Sequence, residues 1–245
     1  MLPASGKSRD TATRYADAVR EPTAIEDTAC GQRSAVQRSD NSYGCYMGVV
    51  IVFETHSTSE DNERGVASGW ADVPLSSTGQ ERARATGNRR RVDDLAAVFT
   101  SDLRRASESV AIAFADQPVP VLLDWRLREC DYGTLSQGPA AVHERERVQY
   151  IDQPYPGGES WREAVTRVAR FFDDLRTRWN GKRVLIIGHV ATRWALEHHI
   201  NGVKIETLAT SDFIWQDGWE FELPTKRRNR EVQTGANAHS ASPNT

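Results

Sequence analysis

Short apolar runs alternate with longer helical patterns between residues 47 and 224, and this alternation is the feature that most restricts the possible folds. Val49 to Phe53 is a continuous apolar run, which is typical of a strand covered on both faces. Ala96 to Thr100, Val119 to Leu123 and Arg183 to Ile187 are further strand candidates. Because helical patterns separate these runs, the sequence predicts an α/β domain with three α/β/α layers around a mostly parallel sheet.

Two of the predicted helices begin with the spacing of a capping box. Thr78 and Glu81 are expected to open a polar, arginine-rich helix that runs to about Arg91. Ser160 and Glu163 open a second helix, in which large apolar residues recur at helical spacing. These apolar side chains are predicted to be core residues rather than ligand groups.

The two ends of the chain differ from its centre. Residues 1–46 show no sustained apolar period, and residues 225–245 are basic and then polar, so both are predicted to be disordered. This leaves residues 47–224 as one folded domain. Met47 comes just before the first strand, which suggests the hypothesis that it is the biological start. The last element, Phe213 to Leu223, is predicted to be a hairpin turned at Asp217-Gly218.

Composition excludes several classes of protein. The chain has a net charge of -3 although its last segment is basic, and an acidic body is a poor surface for nucleic acid. No apolar run approaches the roughly 20 residues of a membrane helix, and no secretory signal begins the chain, so we expect a cytoplasmic protein without a membrane partner. The 3 cysteines and the pair His198-His199 lack the spacing of a zinc site, so no metal or cofactor is expected. The oligomeric state stays open.

Candidate catalytic side chains follow the predicted strands. In open parallel sheets, ligands bind beyond the carboxyl ends of the strands. His56 ends the first strand, Arg105 follows the second, Glu129 follows the third, and His189 ends a later one. This set suits phosphoryl transfer, in which a neutral imidazole attacks phosphorus, cations hold its oxygens, and a carboxylic acid protonates the departing oxygen. Such chemistry requires no metal when these donors suffice.

Five segments, in order, resemble the histidine phosphatase superfamily, which is also called phosphoglycerate mutase-like. The family's usual opening is R-H-G-E-[ST]-x-x-N followed by T/S-G-W-x-D-x-x-L-[ST]-x-x-G. The matching segments, which span essentially residues 47 to 223, are "ETHSTSEDNERGVASGWADVPLSSTGQERA", "FTSDLRRASES", "LRECDYG", "PGGES" and "LIIGHVATRWAL". The resemblance implies a phosphoglycerate mutase-like sandwich and a histidine phosphatase-like catalytic domain over residues 47–224.

The resemblance also implies residue roles. His56 takes the place of the nucleophile, and Glu129 that of the acid and base. Arg105 takes the place of a phosphate-binding arginine, and His189 that of the second histidine. The implied substrate-binding positions are Asn62, Ser68 and Gly69, together with the rim positions Thr55, Ser57 and Val190.

This sequence departs from the family pattern around the nucleophile. Thr55 stands where the family has arginine, Ser57 and Val190 stand where it has glycine, and Thr58 stands at its acidic position. Loss of the arginine removes a charged fork that is worth about 1.5 to 3 kcal/mol per hydrogen bond. Two questions follow: whether another arginine compensates, and whether Glu54 orients that arginine or points to solvent. The candidate arginines are Arg64, Arg104 and Arg193.

Three functions are compatible with these residues. The first is hydrolysis of a small phosphorylated metabolite through a phosphohistidine on His56. The second is phosphoglycerate mutase activity; family mutases commonly carry a longer insertion after the catalytic glutamate, and the short segment at residues 130–155 favours hydrolysis instead. The third is a catalytically weak domain that only binds a phosphorylated ligand or a partner protein, which the departure at Thr55 supports. The pocket walls are expected from residues 133–156. The candidate side chains there and just before, Tyr132, His143, Tyr150 and Tyr155, serve either in binding or in packing.

Overall fold

The computed structural model describes residues 48–225. The predictions of disordered ends at residues 1–46 and 225–245, and the hypothesis about Met47, lie outside these residues, except that residue 225 is the last one described. The strands are β1 (Val49–Thr55), β2 (Val66–Ala67), β3 (Ala97–Thr100), β4 (Val121–Leu123), β5 (Gly138–Pro139), β6 (Arg183–Gly188) and β7 (Trp219–Leu223). The helices are α1 (Glu60–Glu63), α2 (Ser77–Arg90), α3 (Arg104–Ala113), α4 (Ala140–Glu146), α5 (Trp161–Arg178), α6 (Val190–Asn201) and α7 (Ile205–Thr210).

A five-stranded sheet forms the centre of the domain, with the strand order β4-β3-β6-β1-β7. β1, β3, β4 and β6 run parallel, and β7 is antiparallel to β1. The predicted mostly parallel sheet is therefore confirmed. A separate two-stranded ladder joins β2 and β5.

Alternate residues of β1 pack into two different cores, one on each face of the sheet. Ile51 and Phe53 belong to the core formed with α5 and α6, whereas Val52 belongs to the core formed with α3. This is the burial expected of a strand covered on both faces. The apolar side chains of α5 are buried as predicted, Phe171 and Phe172 among them.

Two predicted boundaries are wrong or incomplete. α2 begins earlier than expected, because Ser76 is the residue that caps it and accepts a hydrogen bond from the Gly79 N–H. The terminal hairpin does not form. Of the predicted segment at residues 213–223, only Trp219–Leu223 is a strand, and its partner is β1 rather than the segment before it. Before Gly218, Ile214 is 80% exposed and Trp215 is also exposed, whereas Phe213 packs against Trp219. The second capping box, at Ser160 and Glu163, is confirmed.

Candidate active site

Three neighbouring strands, β1, β6 and β3, end at the same edge of the sheet. The residues that follow these strands provide the first side chains of the site. Thr55 at the end of β1 pairs with Gly188 at the end of β6, and the His56 N–H donates to the Gly188 carbonyl at 2.9 Å. His56 and His189 therefore leave adjacent strands at the same level. β3, on the other side of β6, ends at Thr100 and is followed by Ser101. Parallel pairing brings residues more than eighty positions apart into contact here.

The two imidazoles face one another across this edge. Their ring centroids are 4.9 Å apart, and the rings are inclined by 53°. Arg105, in the first turn of α3, spans both rings: its Nε lies 3.3 Å from His56 Nε2, and its Nη2 lies 3.4 Å from His189 Nδ1. Its guanidinium also donates to the carbonyls of Gly69 at 2.8 Å and Ala71 at 3.2 Å. The side chain is thus fixed in one position, with only 2% of the residue exposed.

The surroundings of His56 favour the tautomer and the charge state that a nucleophilic imidazole requires. Its Nδ1 donates to the Ser57 carbonyl at 2.8 Å, which leaves the Nε2 lone pair directed towards Arg105. Burial and the positive charge of Arg105 lower the pKa of His56 to about 3, against a smaller opposing effect of the Ser57 hydrogen bond. The ring is therefore neutral at physiological pH, and Nε2 is the nitrogen free to attack.

His189 is oriented by a hydroxyl group and by Arg105. The Ser101 Oγ lies 2.7 Å from His189 Nε2. A guanidinium can only donate hydrogen bonds, so His189 Nδ1 must accept from Arg105. The proton of the neutral ring is therefore on Nε2, which donates to the Ser101 Oγ. Burial, the charge of Arg105 and the nearby His56 lower the pKa of His189 well below its usual value.

Glu129 lies at the start of the helix that follows His189. Its Oε1 accepts from the backbone N–H groups of Cys130 at 2.9 Å and Ala191 at 3.0 Å, and its Oε2 accepts from Val190 at 3.2 Å. Burial raises the pKa of Glu129, although these N–H donors and Arg105 act in the opposite direction. A carboxyl with a raised pKa beside a neutral imidazole is an arrangement suited to acid–base catalysis.

Comparison with known proteins agrees with this geometry. The sequence profile of the histidine phosphatase superfamily (branch 1) matches residues 51–213. The chain belongs to the histidine phosphatase superfamily.

Sequence relatives of this chain include mutases, and the similar solved structures include phosphatases. A 2,3-bisphosphoglycerate-dependent phosphoglycerate mutase from Methylobacterium sp. (strain 4-46) is 33% identical over 179 residues, which cover 66% of this chain and 85% of the relative. Bacillus stearothermophilus YhfR has a similar fold with a TM-score of 0.63 and 21% identity, covering 73% of this chain and 96% of that one. The α-ribazole phosphatase from Shigella flexneri has a TM-score of 0.58 and 21% identity, covering 72% and 95%.

Three other predicted site residues make their contacts here through the backbone, and Ser68 does so through its side chain. Ser57 offers its carbonyl to His56, Gly69 its carbonyl to Arg105, and Val190 its N–H to Glu129. The Ser68 hydroxyl donates to Asp61 at 2.8 Å.

Asn62 and Thr55, the two remaining predicted residues, make no contact of this kind with the proposed catalytic side chains among the described hydrogen bonds. The Asn62 Oδ1 accepts from the Ser59 N–H in the capping box of α1, and Asn62 itself is exposed. Thr55 is the last residue of β1, directly before His56.

The three arginines considered as substitutes for the missing motif arginine are engaged with carboxylates. Arg104 pairs with Glu108 at 2.7 Å and is half exposed. The other two pair with carboxylates on their own helix or its end, Arg64 with Asp61 and Arg193 with Glu197. Arg193 also lies over the Trp219 ring, 4.3 Å from its centroid.

Glu54 does not point to solvent. It is 4% exposed and accepts from Arg89 at 2.7 Å and Arg90 at 2.5 Å, both at the end of α2. Arg90 also donates a hydrogen bond to the Asp217 carbonyl. Glu54 therefore orients two arginines, but neither is one of the three candidate substitutes, and both fasten the end of α2 to β1.

Sequence reasoning missed several polar groups that support the site. Ser101 binds His189, and the Ser109 Oγ accepts from the Ser57 N–H at 2.9 Å. The Glu129 carbonyl accepts from Trp70 Nε1 at 2.6 Å and from Arg167 at 3.0 Å. Ser101 could have been found as a residue that ends a strand; the others act across long sequence separations and left no local signal.

Proposed function

We propose that this histidine phosphatase hydrolyses a small phosphate monoester through a phosphohistidine on His56. The observation that supports this most directly is the arrangement of two neutral imidazoles with one guanidinium spanning both, beside a buried carboxyl with a raised pKa. A phosphoryl group bound between the rings would lie in reach of Arg105 and His189. These groups would stabilise the charge on its equatorial oxygens.

In the first half of the reaction, the Nε2 lone pair of His56 attacks phosphorus. The ester P–O bond breaks, its electron pair goes to the leaving oxygen, and Glu129 transfers its proton to that oxygen. Oε2 is the oxygen that would carry this proton, because it has a single, longer contact with a backbone N–H. The hydrogen bond from Nδ1 to the Ser57 carbonyl would stabilise the imidazolium character that develops.

In the second half, the Glu129 carboxylate takes a proton from water, and the resulting hydroxide attacks the phosphohistidine. The P–N bond breaks, its electron pair returns to His56, and inorganic phosphate leaves. Glu129 then holds a proton again, so the cycle closes without a metal or cofactor. We accordingly expect turnover to persist in the presence of EDTA.

The loss of kcat/KM on replacing Glu129 should depend on the leaving group of the ester. Glu129→Gln can keep the two closer hydrogen bonds through its carbonyl oxygen but supplies no acid. We expect kcat/KM for glycerol phosphate, a poor leaving group, to fall about 100-fold, and that for p-nitrophenyl phosphate to fall by less than about 10-fold. Wild-type kcat/KM for glycerol phosphate should decline as pH rises through the raised pKa of Glu129, and the variant should lack this decline.

The p-nitrophenyl phosphate reaction of Glu129→Gln should also begin with a burst of nitrophenolate, because phosphoenzyme hydrolysis loses its base. Glu108→Gln is the matched control, because Glu108 is a partly exposed carboxylate that pairs with Arg104 and can keep its hydrogen bond from the Leu75 N–H as glutamine. Equal losses for both esters in Glu129→Gln, without a burst, would show that Glu129 is not the acid.

Phosphoglycerate mutase activity is the second candidate, because the sequence relatives include phosphoglycerate mutases. A mutase returns the phosphoryl group to the product, whereas a phosphatase gives it to water. We expect 3-phosphoglycerate to yield inorganic phosphate rather than 2-phosphoglycerate, which coupled assays of the two products would measure. Formation of 2-phosphoglycerate at the faster rate would establish the mutase instead.

A further inference from the structure

A cavity of about 300 Å³ lies between α4 and the chain that leads to α5. This is the size of a small-molecule pocket. Its wall includes Ser136, Gly138, His143, Tyr150 and Tyr155. None of the four proposed catalytic side chains is among its lining residues, so the cavity is a separate compartment beside the reacting groups.

The backbone ties this cavity to the site of phosphoryl transfer. Gly138, in the cavity wall, pairs with Ala67 in the two-stranded ladder, and the chain from Ala67 continues directly to Gly69. The Gly69 carbonyl binds Arg105. Gly69 has a φ of 54°, and a Cβ added there would lie 2.8 Å from the Ser136 Oγ. Ser136 in the cavity wall is therefore in contact with the residue that holds Arg105.

Aromatic rings form one side of the cavity. Tyr150 and Tyr155 are stacked, with centroids 3.9 Å apart and an interplanar angle of 16°. Tyr132 packs against Tyr155 at 5.0 Å and against His143 at 4.5 Å. The His143 Nε2 lies 2.9 Å from the Leu135 carbonyl, which fixes the ring. These rings form a rigid wall that suits stacking with another flat group.

The charges around the cavity disfavour an anionic ligand. Among the described residues that line it, none is lysine or arginine, and Glu146 is the acidic one. Glu146 pairs with Arg145 at 2.6 Å, but Arg145 is 67% exposed and outside the wall. A carboxylate placed in this cavity would lose its hydration without gaining a cationic partner.

We infer that the cavity binds the alcohol half of the substrate, and that this half is an uncharged planar ring rather than a carboxylate-bearing chain. The inference rests on the proposed function for the position of the phosphoryl group. It makes Tyr150 a specificity-determining residue. It also places the phosphoglycerates, whose carboxylate would face Glu146, among the poor substrates.

The test uses 1-naphthyl phosphate, glycerol phosphate and 3-phosphoglycerate as substrates. Tyr150→Ala should raise KM for 1-naphthyl phosphate about 10-fold with little change in kcat, because stacking contributes to binding alone. The same change should leave kcat/KM for glycerol phosphate within about 2-fold. Tyr150→Phe keeps the ring and should behave like the wild type.

A second variant introduces a positively charged side chain, which the lining of the cavity lacks. Glu146→Lys should lower KM for 3-phosphoglycerate several-fold and leave KM for 1-naphthyl phosphate unchanged. Equal losses for all three substrates in Tyr150→Ala, or a wild-type preference for 3-phosphoglycerate, would overturn the inference.

A binding measurement separates this inference from the proposed function. Calorimetry would give the Kd of 1-naphthyl phosphate for His56→Asn and for His56→Asn with Tyr150→Ala, neither of which depends on turnover. A Kd about 10-fold weaker in the double variant supports the cavity assignment even if hydrolysis fails in every assay. Equal Kd values would refute the assignment even if hydrolysis is confirmed.

Discussion

Replacing His56 with asparagine is expected to lower kcat/KM for p-nitrophenyl phosphate by roughly four orders of magnitude, because removal of a covalent nucleophile leaves only binding and charge stabilisation. Asparagine can still donate a hydrogen bond near the Ser57 carbonyl, so the loop should keep its shape. His199→Asn, which changes an exposed histidine at the end of α6, is the matched control and should retain full activity.

The same variant tests the covalent intermediate directly. With phosphate-labelled substrate and an alkaline quench, the wild type should retain label that is lost in acid, as expected of a phosphohistidine, and Glu129→Gln should retain more of it. His56→Asn should retain none. Label of equal amount in His56→Asn would place the nucleophile elsewhere. Absence of both label and turnover from every variant, together with tight ligand binding, would favour the domain that only binds.

Arg105→Met is expected to lower kcat/KM by about 1000-fold, since two charged hydrogen bonds to a phosphoryl group contribute about 1.5 to 3 kcal/mol each. Arg105→Lys should recover only part of this loss, because a single ammonium group cannot span both imidazoles as the guanidinium does. The measurement is steady-state kinetics with p-nitrophenyl phosphate.

The neighbouring residue provides a control for the Arg105 variants. Arg104 precedes it in α3 but pairs with Glu108 at the surface, and Arg104→Met should change kcat/KM by less than about 2-fold. Arg105 also satisfies the carbonyls of Gly69 and Ala71, so thermal unfolding should be followed for each variant. If both methionine variants lost activity equally, the proposed role of Arg105 would be wrong.

The fold and the neighbourhood of the two histidines could be predicted because both follow from local patterns. Continuous apolar runs identify buried parallel strands, and parallel strands end at a common edge, which brings His56 and His189 to adjacent positions. The capping box at Ser160 was readable for the same reason, since all of its hydrogen bonds lie within four residues.

The wrong or incomplete predictions concern contacts between residues that are far apart in the sequence. The terminal segment contains an apolar alternation, but β7 pairs with β1, so the predicted hairpin has no second strand. Glu54 is buried because Arg89 and Arg90 reach it from 35 and 36 positions away. Ser109 binds Ser57 across 52 positions. Such pairings are fixed by how helices pack on the sheet, and no window of the sequence contains both partners.

The separation between the reacting groups and the aromatic cavity has an evolutionary consequence. The histidines follow two adjacent inner strands of the sheet, β1 and β6, whereas the cavity comes from a segment joined to that region by a ladder of two residue pairs. If the cavity binds the alcohol half of the substrate as proposed, substitutions in the segment can change which alcohol is recognised while the strands of the sheet keep their register. A scaffold divided in this way can acquire new substrates by altering one surface module, with its chemical step inherited unchanged.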